Sequence, residues 1–137
     1  MRVILDTNVL LSGVISPRAA PARLIEAWTD RRFTLISHDL QLAEIREVSR
    51  RPKIRTLVRP AEIGRLVNLI AVLAECPAAL PAVARSRDPR DDFLLALCEA
   101  GQVDWLVTGD KNDLLALERQ GSTRITTASE LAGILRI

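Results

Sequence analysis

Met1-Arg2-Val3-Ile4-Leu5-Asp6-Thr7-Asn8 opens the chain with an apolar run, Arg2 to Leu5, that stops on an acid. The run is too short for a helix and has no polar alternation. It therefore reads as a strand buried on both faces, as in a parallel sheet. Working outward, Thr7 to Ile15 predicts a helix broken near Ser16-Pro17. Pro21 opens a second helix, with Leu24, Ala27 and Trp28 on its apolar face, up to about Asp30. Phe33 to Ile36 is a second strand. Asp39 caps a helix carrying Leu40, Ala43, Ile45 and Val48, which Pro52 stops. Pro60 opens the next helix, ended by Cys76-Pro77. Ala78 to Arg90 reads as a loop with at most a short strand.

Asp91 or Asp92 begins a helix through Ala100, with Gly101 as its stop. Trp105 to Thr108 is a third strand. Asp110 to Gln120 reads as helix ended by Gly121, Arg124 to Thr126 as a last strand, and Ser129 to Leu135 as a last helix. Strands alternating with helices predict an α/β fold with a central parallel sheet covered on both faces. No stretch of the 137 residues reads as a linker, so residues 1–137 are expected to form one domain.

Composition excludes several classes. Hydrophobic residues make up 48% and charged residues 26%, an ordinary globular balance that rules out disorder, collagen-like repeats and a disulfide scaffold. Cys76 and Cys98 are far apart with no CxxC, which fits a reduced, cytoplasmic setting and argues against structural zinc. The longest apolar stretches fall well short of a membrane span, and the N-terminus lacks the pattern of a signal peptide, so no membrane association is expected. Trp28, Trp105 and Cys98 sit on apolar patterns and are expected inside, with His38 a surface or capping neighbour at a helix start.

The acids point to chemistry. Ligand sites in open parallel sheets lie beyond the carboxyl ends of the strands. Asp6 follows the first strand and Asp110 the third. Glu44 lies on the helix after the second, and Asp91 and Asp92 open the helix before the third. Carboxylates drawn together repel unless one takes a proton or a cation binds. Mg²⁺ or Mn²⁺ prefers such oxygen ligands, and with water it suits phosphodiester hydrolysis at a site offering no nucleophilic Ser or Cys.

Ile4-Leu5-Asp6-Thr7-Asn8-Val9-Leu10 resembles the opening motif of the PIN-domain nucleases. Asp91-Asp92-Phe93-Leu94-Leu95-Ala96-Leu97, followed by Asp104-Trp105-Leu106-Val107-Thr108-Gly109-Asp110, is similar to the rest of that signature. The likeness is greatest to the VapC-like toxin components of toxin–antitoxin systems, and it spans the chain. It implies a three-layer α/β/α fold and a Mg²⁺- or Mn²⁺-dependent endoribonuclease. Asp6, Glu44, Asp91 and Asp110 would hold metal and carry catalysis, with Asp92 the alternative to Asp91. Thr7, Asn8 and Thr108 would support them. The resemblance also implies a cognate antitoxin and a homodimer as partners. Asp113 reads as a helix cap rather than a further metal ligand.

A net charge of +2 hides an asymmetry. Ile45 to Arg65 holds seven basic residues against two acids, whereas Asp88 to Glu118 holds eight acids against two bases. A basic wall beside an acidic pocket suits RNA, with Arg46, Arg50, Arg51, Lys53 and Arg55 as candidate phosphate contacts. Aromatics are only 3%, so base stacking is not the expected mode. The alternative is a catalytically silent PIN-like module that binds RNA or protein. A phosphoacceptor signalling domain fits less well, because no acid pair stands near Asp6.

Overall fold

In the computed structural model, residues 1–83, 92–109 and 114–137 are described. The elements run β1 (Arg2–Leu5), α1 (Thr7–Ile15), α2 (Ala20–Thr29), β2 (Thr34–Leu35), α3 (Asp39–Ser49), α4 (Pro52–Arg55), α5 (Pro60–Leu73), α6 (Asp92–Ala100), β3 (Trp105–Val107), α7 (Leu114–Leu117), β4 (Arg119–Gln120), β5 (Thr123–Thr126) and α8 (Ala128–Leu135). The strands form one sheet in the order β2-β1-β3-β5-β4. The first four pair in parallel, and β4 pairs antiparallel to β5.

The pleat of β1 shows why Val3, Ile4 and Leu5 are apolar in succession. Val3 and Leu5 enter one hydrophobic cluster, with Leu10, Leu24, Trp28, Ile45, Ile70 and Leu131. Ile4 points the other way, into a cluster with Leu94, Leu95, Leu97, Leu106 and Leu114. Helices α1, α2, α3, α5 and α8 thus cover one face, α6 and α7 the other, and the three-layer α/β/α expectation holds. Both termini of the described chain are tied in. Arg2 pairs with Glu75 and donates to the carbonyl of Gly101. Arg32 donates to the carbonyl of Leu135 at the end of α8. Among the described residues no helix is long and apolar enough to cross a membrane.

Several boundaries differ from the sequence reading for identifiable reasons. The cap of α3 is His38 rather than Asp39: its Nδ1 accepts from the Leu40 amide at 3.1 Å. Helix α3 has already ended at Ser49 when Pro52 arrives, and that proline opens the short helix α4. The left-handed residue after α6 is Gln102 rather than Gly101. Gly101 is needed for space instead, because a Cβ there would lie 2.8 Å from Ile36 Cγ2.

Of the helix expected from Asp110 to Gln120, Leu114–Leu117 is helical and Glu118 to Gln120 is not, while residues 110–113 lie outside the described ones. Helix α7 makes a single turn, Glu118 takes a positive φ, and Arg119-Gln120 turn back along β5 through Gly121-Ser122. Gly121, at φ 59°, is thus a hairpin residue and not a helix stop. Trp28 is buried, while Trp105 is only partly so and stacks against the Arg124 guanidinium 5.6 Å from its ring centre.

Candidate active site

Asp6 leaves the sheet at the carboxyl end of β1 and precedes the first residue of α1. Its backbone N–H donates a hydrogen bond to the carbonyl of Val107, the last residue of β3. Its side chain is only 7% exposed. Thr108, wholly buried beside it, donates its hydroxyl to Asp6 Oδ2 at 2.7 Å. Thr108 is fixed in turn by its own amide, which donates to the carbonyl of Thr126 in β5. Three parallel strands therefore combine to set the position of one carboxylate.

The Asp6 pKa is raised, above all because burial removes water from its charged form. The Thr108 hydroxyl opposes the shift, the charge of Glu44 adds to it, and the Thr7 and Asn8 amides at the head of α1 oppose it again. Those amides act as helix-end dipoles, since no cap hydrogen bond of regular geometry forms to the Asp6 side chain.

Glu44 lies half-buried in the middle of α3. A residue with no role assigned to it in the sequence reading fastens that helix to the site. Gln41, fully buried, donates from Nε2 to the Leu5 carbonyl at 2.7 Å and accepts from the Ser37 hydroxyl at 2.6 Å. Leu5 is the residue before Asp6, and Gln41 stands one turn before Glu44, so this amide sets α3 directly against the site. The readable signal was a polar residue on the apolar face of α3, beside Ile45 and Val48.

Thr7 is 1% exposed, and its Oγ1 has no hydrogen-bond partner among the described residues. A buried hydroxyl without a partner costs stability, so one on the residue next to Asp6 suits a water or an ion. The donors in place, carboxylate and hydroxyl oxygens, match the preference of Mg²⁺ or Mn²⁺. Among the described residues no three His, Cys, Asp or Glu side chains gather into a metal-binding group. Asp91, Asp110 and Asp113 lie outside the described residues, as does Lys111. Asp92 opens α6, half-buried and engaged with a neighbour.

Among the described residues, one groove adjoins this arrangement and another lies on the far side of α3. The first, of about 250 Å³, is lined among the described residues by Asn8, Ser12, Thr108, Thr127 and Ser129 together with apolar Val9, Pro21 and Ala128, none of them charged. It lies where α1 and α8 start, beside the residue that holds Asp6. The other, of about 460 Å³, lies between α3, α4 and α5 and brings together Arg46, Arg50 and Arg55. Arg51 and Lys53 are exposed but do not line it. Glu130 is a further acid at this end of the sheet. It accepts from Thr126 Oγ1 at 2.5 Å and does not figure among the charges acting on Asp6.

The sequence profile of the PIN domain family matches residues 2–112, from β1 past β3. Among solved structures, the chain is similar to one described as the crystal structure of VapBC2 from Rickettsia felis bound to a DNA fragment from their promoter. The TM-score is 0.57 and the identity 14%, over 91% of this chain and 97% of that one. At that identity the likeness is one of fold. No protein of curated function matches in sequence.

Proposed function

The chain belongs to the PIN domain family, and from that premise we propose that it is a Mg²⁺- or Mn²⁺-dependent endoribonuclease, the toxin half of a toxin–antitoxin pair. The observation that carries the proposal is Asp6: a buried carboxylate at the carboxyl end of β1, with Glu44 near enough to raise its proton affinity further. A pair like that is stable when charged only if a cation joins it.

In this reading Asp6, Glu44, Asp91 and Asp110 hold the metal, with Asp92 the alternative to Asp91. A bound divalent ion activates water and offsets charge on the phosphoryl oxygens. The protein's own groups do the rest. Thr108 keeps Asp6 Oδ2 aimed in one direction, and the Gln41 amide holds Glu44 at a fixed distance from β1. The Thr7 hydroxyl is available to a water at the site. The groove past Asn8, Ser12 and Ser129 receives the nucleoside beside the scissile bond through hydroxyl and amide contacts.

The antitoxin assignment draws on the fold shared with VapBC2, a complex bound to its promoter DNA. The two thiols without a disulfide suit the cytoplasm. The test is cleavage of a panel of single-stranded and structured RNAs in Mn²⁺, Mg²⁺ or EDTA, with wild type beside Asp6→Asn. Metal-dependent cutting that the variant loses supports the proposal. No cutting of any RNA together with no metal binding overturns it in favour of a silent binding module.

A further inference from the structure

We propose that the groove between α3, α4 and α5 is a phosphate-binding exosite, which grips a stretch of single-stranded RNA outside the cleavage site. The proposal rests on the ribonuclease reading for the identity of the ligand, but not on cleavage itself.

Three arginines converge on this groove: Arg46 from α3, Arg50 capping its C-terminus and Arg55 from the end of α4. All three are exposed, and among the described residues none is in an ion pair. The nearby acid Glu62 is engaged elsewhere, with Arg59 at 3.1 Å. Unneutralised guanidiniums held around one concavity repel one another, and an anion relieves that repulsion. Arg46 and Arg50 stand one helical turn apart, about 6 Å along α3, so each reaches a different phosphate of a chain lying along the helix.

The rest of the lining favours nucleic acid over a protein partner. Val58, Ile63 and Val67 form its floor, but they already belong to the core and are only 3–6% exposed. A docking peptide would gain little from those three side chains, whereas protein interfaces rely on an apolar centre. The groove offers charge, the Ser49 hydroxyl and the Asn68 amide, which is the polar, cationic character of a nucleic-acid interface. A concavity of about 460 Å³ has room for a nucleotide and none for a duplex.

The groove is also separate from the acids. Arg46 lies about 200° around α3 from Glu44. A strand that meets both must wrap round α3, so the exosite engages only substrates extending several nucleotides beyond the cut.

The experiment measures binding of a fluorescein-labelled oligouridylate, about a dozen nucleotides long, to the full chain in EDTA across a range of salt. The Arg46→Gln/Arg50→Gln/Arg55→Gln protein should bind about tenfold or more weakly. The slope of log affinity against log salt should flatten by about 2, near 0.7 for each lost phosphate contact. Gly64→Glu supplies a second test that leaves the arginines alone. A Cβ at Gly64 meets nothing within 4 Å, so the new carboxylate enters the groove without disturbing the core, and binding should again fall. Gly64→Ala should bind as wild type does.

If the triple variant and Gly64→Glu both keep wild-type affinity and salt slope, the proposal is wrong. It is equally wrong if those variants lose binding to polyglutamate while holding the RNA unchanged, since the groove would then serve an acidic protein. Absence of cleavage by any version in Mn²⁺ would remove the nuclease reading but leave this binding result standing on its own.

Discussion

Asp6 works against the stability of the fold whenever it is charged and no cation is bound. Its folded pKa lies above the unfolded value, so folding is favoured most below the unfolded pKa and loses that advantage as pH rises through the folded one. Metal-free Asp6→Asn protein should therefore melt higher than wild type at pH 7, and the difference should close as the pH is lowered towards 4. On the proposed ribonuclease reading, the same change should cost about 10²-fold or more in RNA cleavage, since it would remove a metal-holding charge. Gln41→Leu is a different case. It strands the Leu5 carbonyl and the Ser37 hydroxyl in the core, and urea unfolding should show a loss of about 1–3 kcal/mol. The thiols give a third residue-level check. Burial pushes Cys98 up to about 12, whereas Cys76 is exposed. A thiol reagent at pH 8 should titrate one cysteine per native chain and two in denaturant.

At the level of elements, tight packing concentrates at Gly101, where α6 gives way to β3. A Cβ there would meet Ile36 Cγ2 at 2.8 Å and the Leu97 carbonyl at 3.1 Å. Gly101→Ala should cost about 1–3 kcal/mol of stability, read by urea unfolding, because β2 must shift to make room. The parts of the fold legible in the sequence were those whose cause is local. The run Val3–Leu5 is apolar because both sheet faces are covered, and Pro21 and Pro60 stand at or next to the first residue of their helices. Strand β4 was not legible, because Leu114, Leu115 and Leu117 have helical spacing while the pairing of Arg119-Gln120 depends on β5. The candidate site divides the same way. Asp6 and Glu44 could be read from their places after strands. The Gln41 lock joins residues 36 apart in sequence, and no periodicity reports it.

For the molecule as a whole, the family match ends at residue 112, yet the fold continues beyond it. Strand β5 completes the far side of β3, its Thr126 carbonyl holds the amide of Thr108, and Leu131 of α8 is fully buried in the larger core. A chain truncated after residue 112 should consequently lose cooperative unfolding by circular dichroism, and with it the geometry that aims Asp6. The outer strands of the sheet have another consequence. Both β2 and β4 are two residues long. Beyond β2, the Glu75 backbone already exchanges hydrogen bonds with Leu35 and Ser37. Among the described residues, therefore, neither margin offers an unclaimed ladder for a foreign strand to extend. Among the described residues, then, two copies of the chain meeting edge to edge find little backbone to template a fibril.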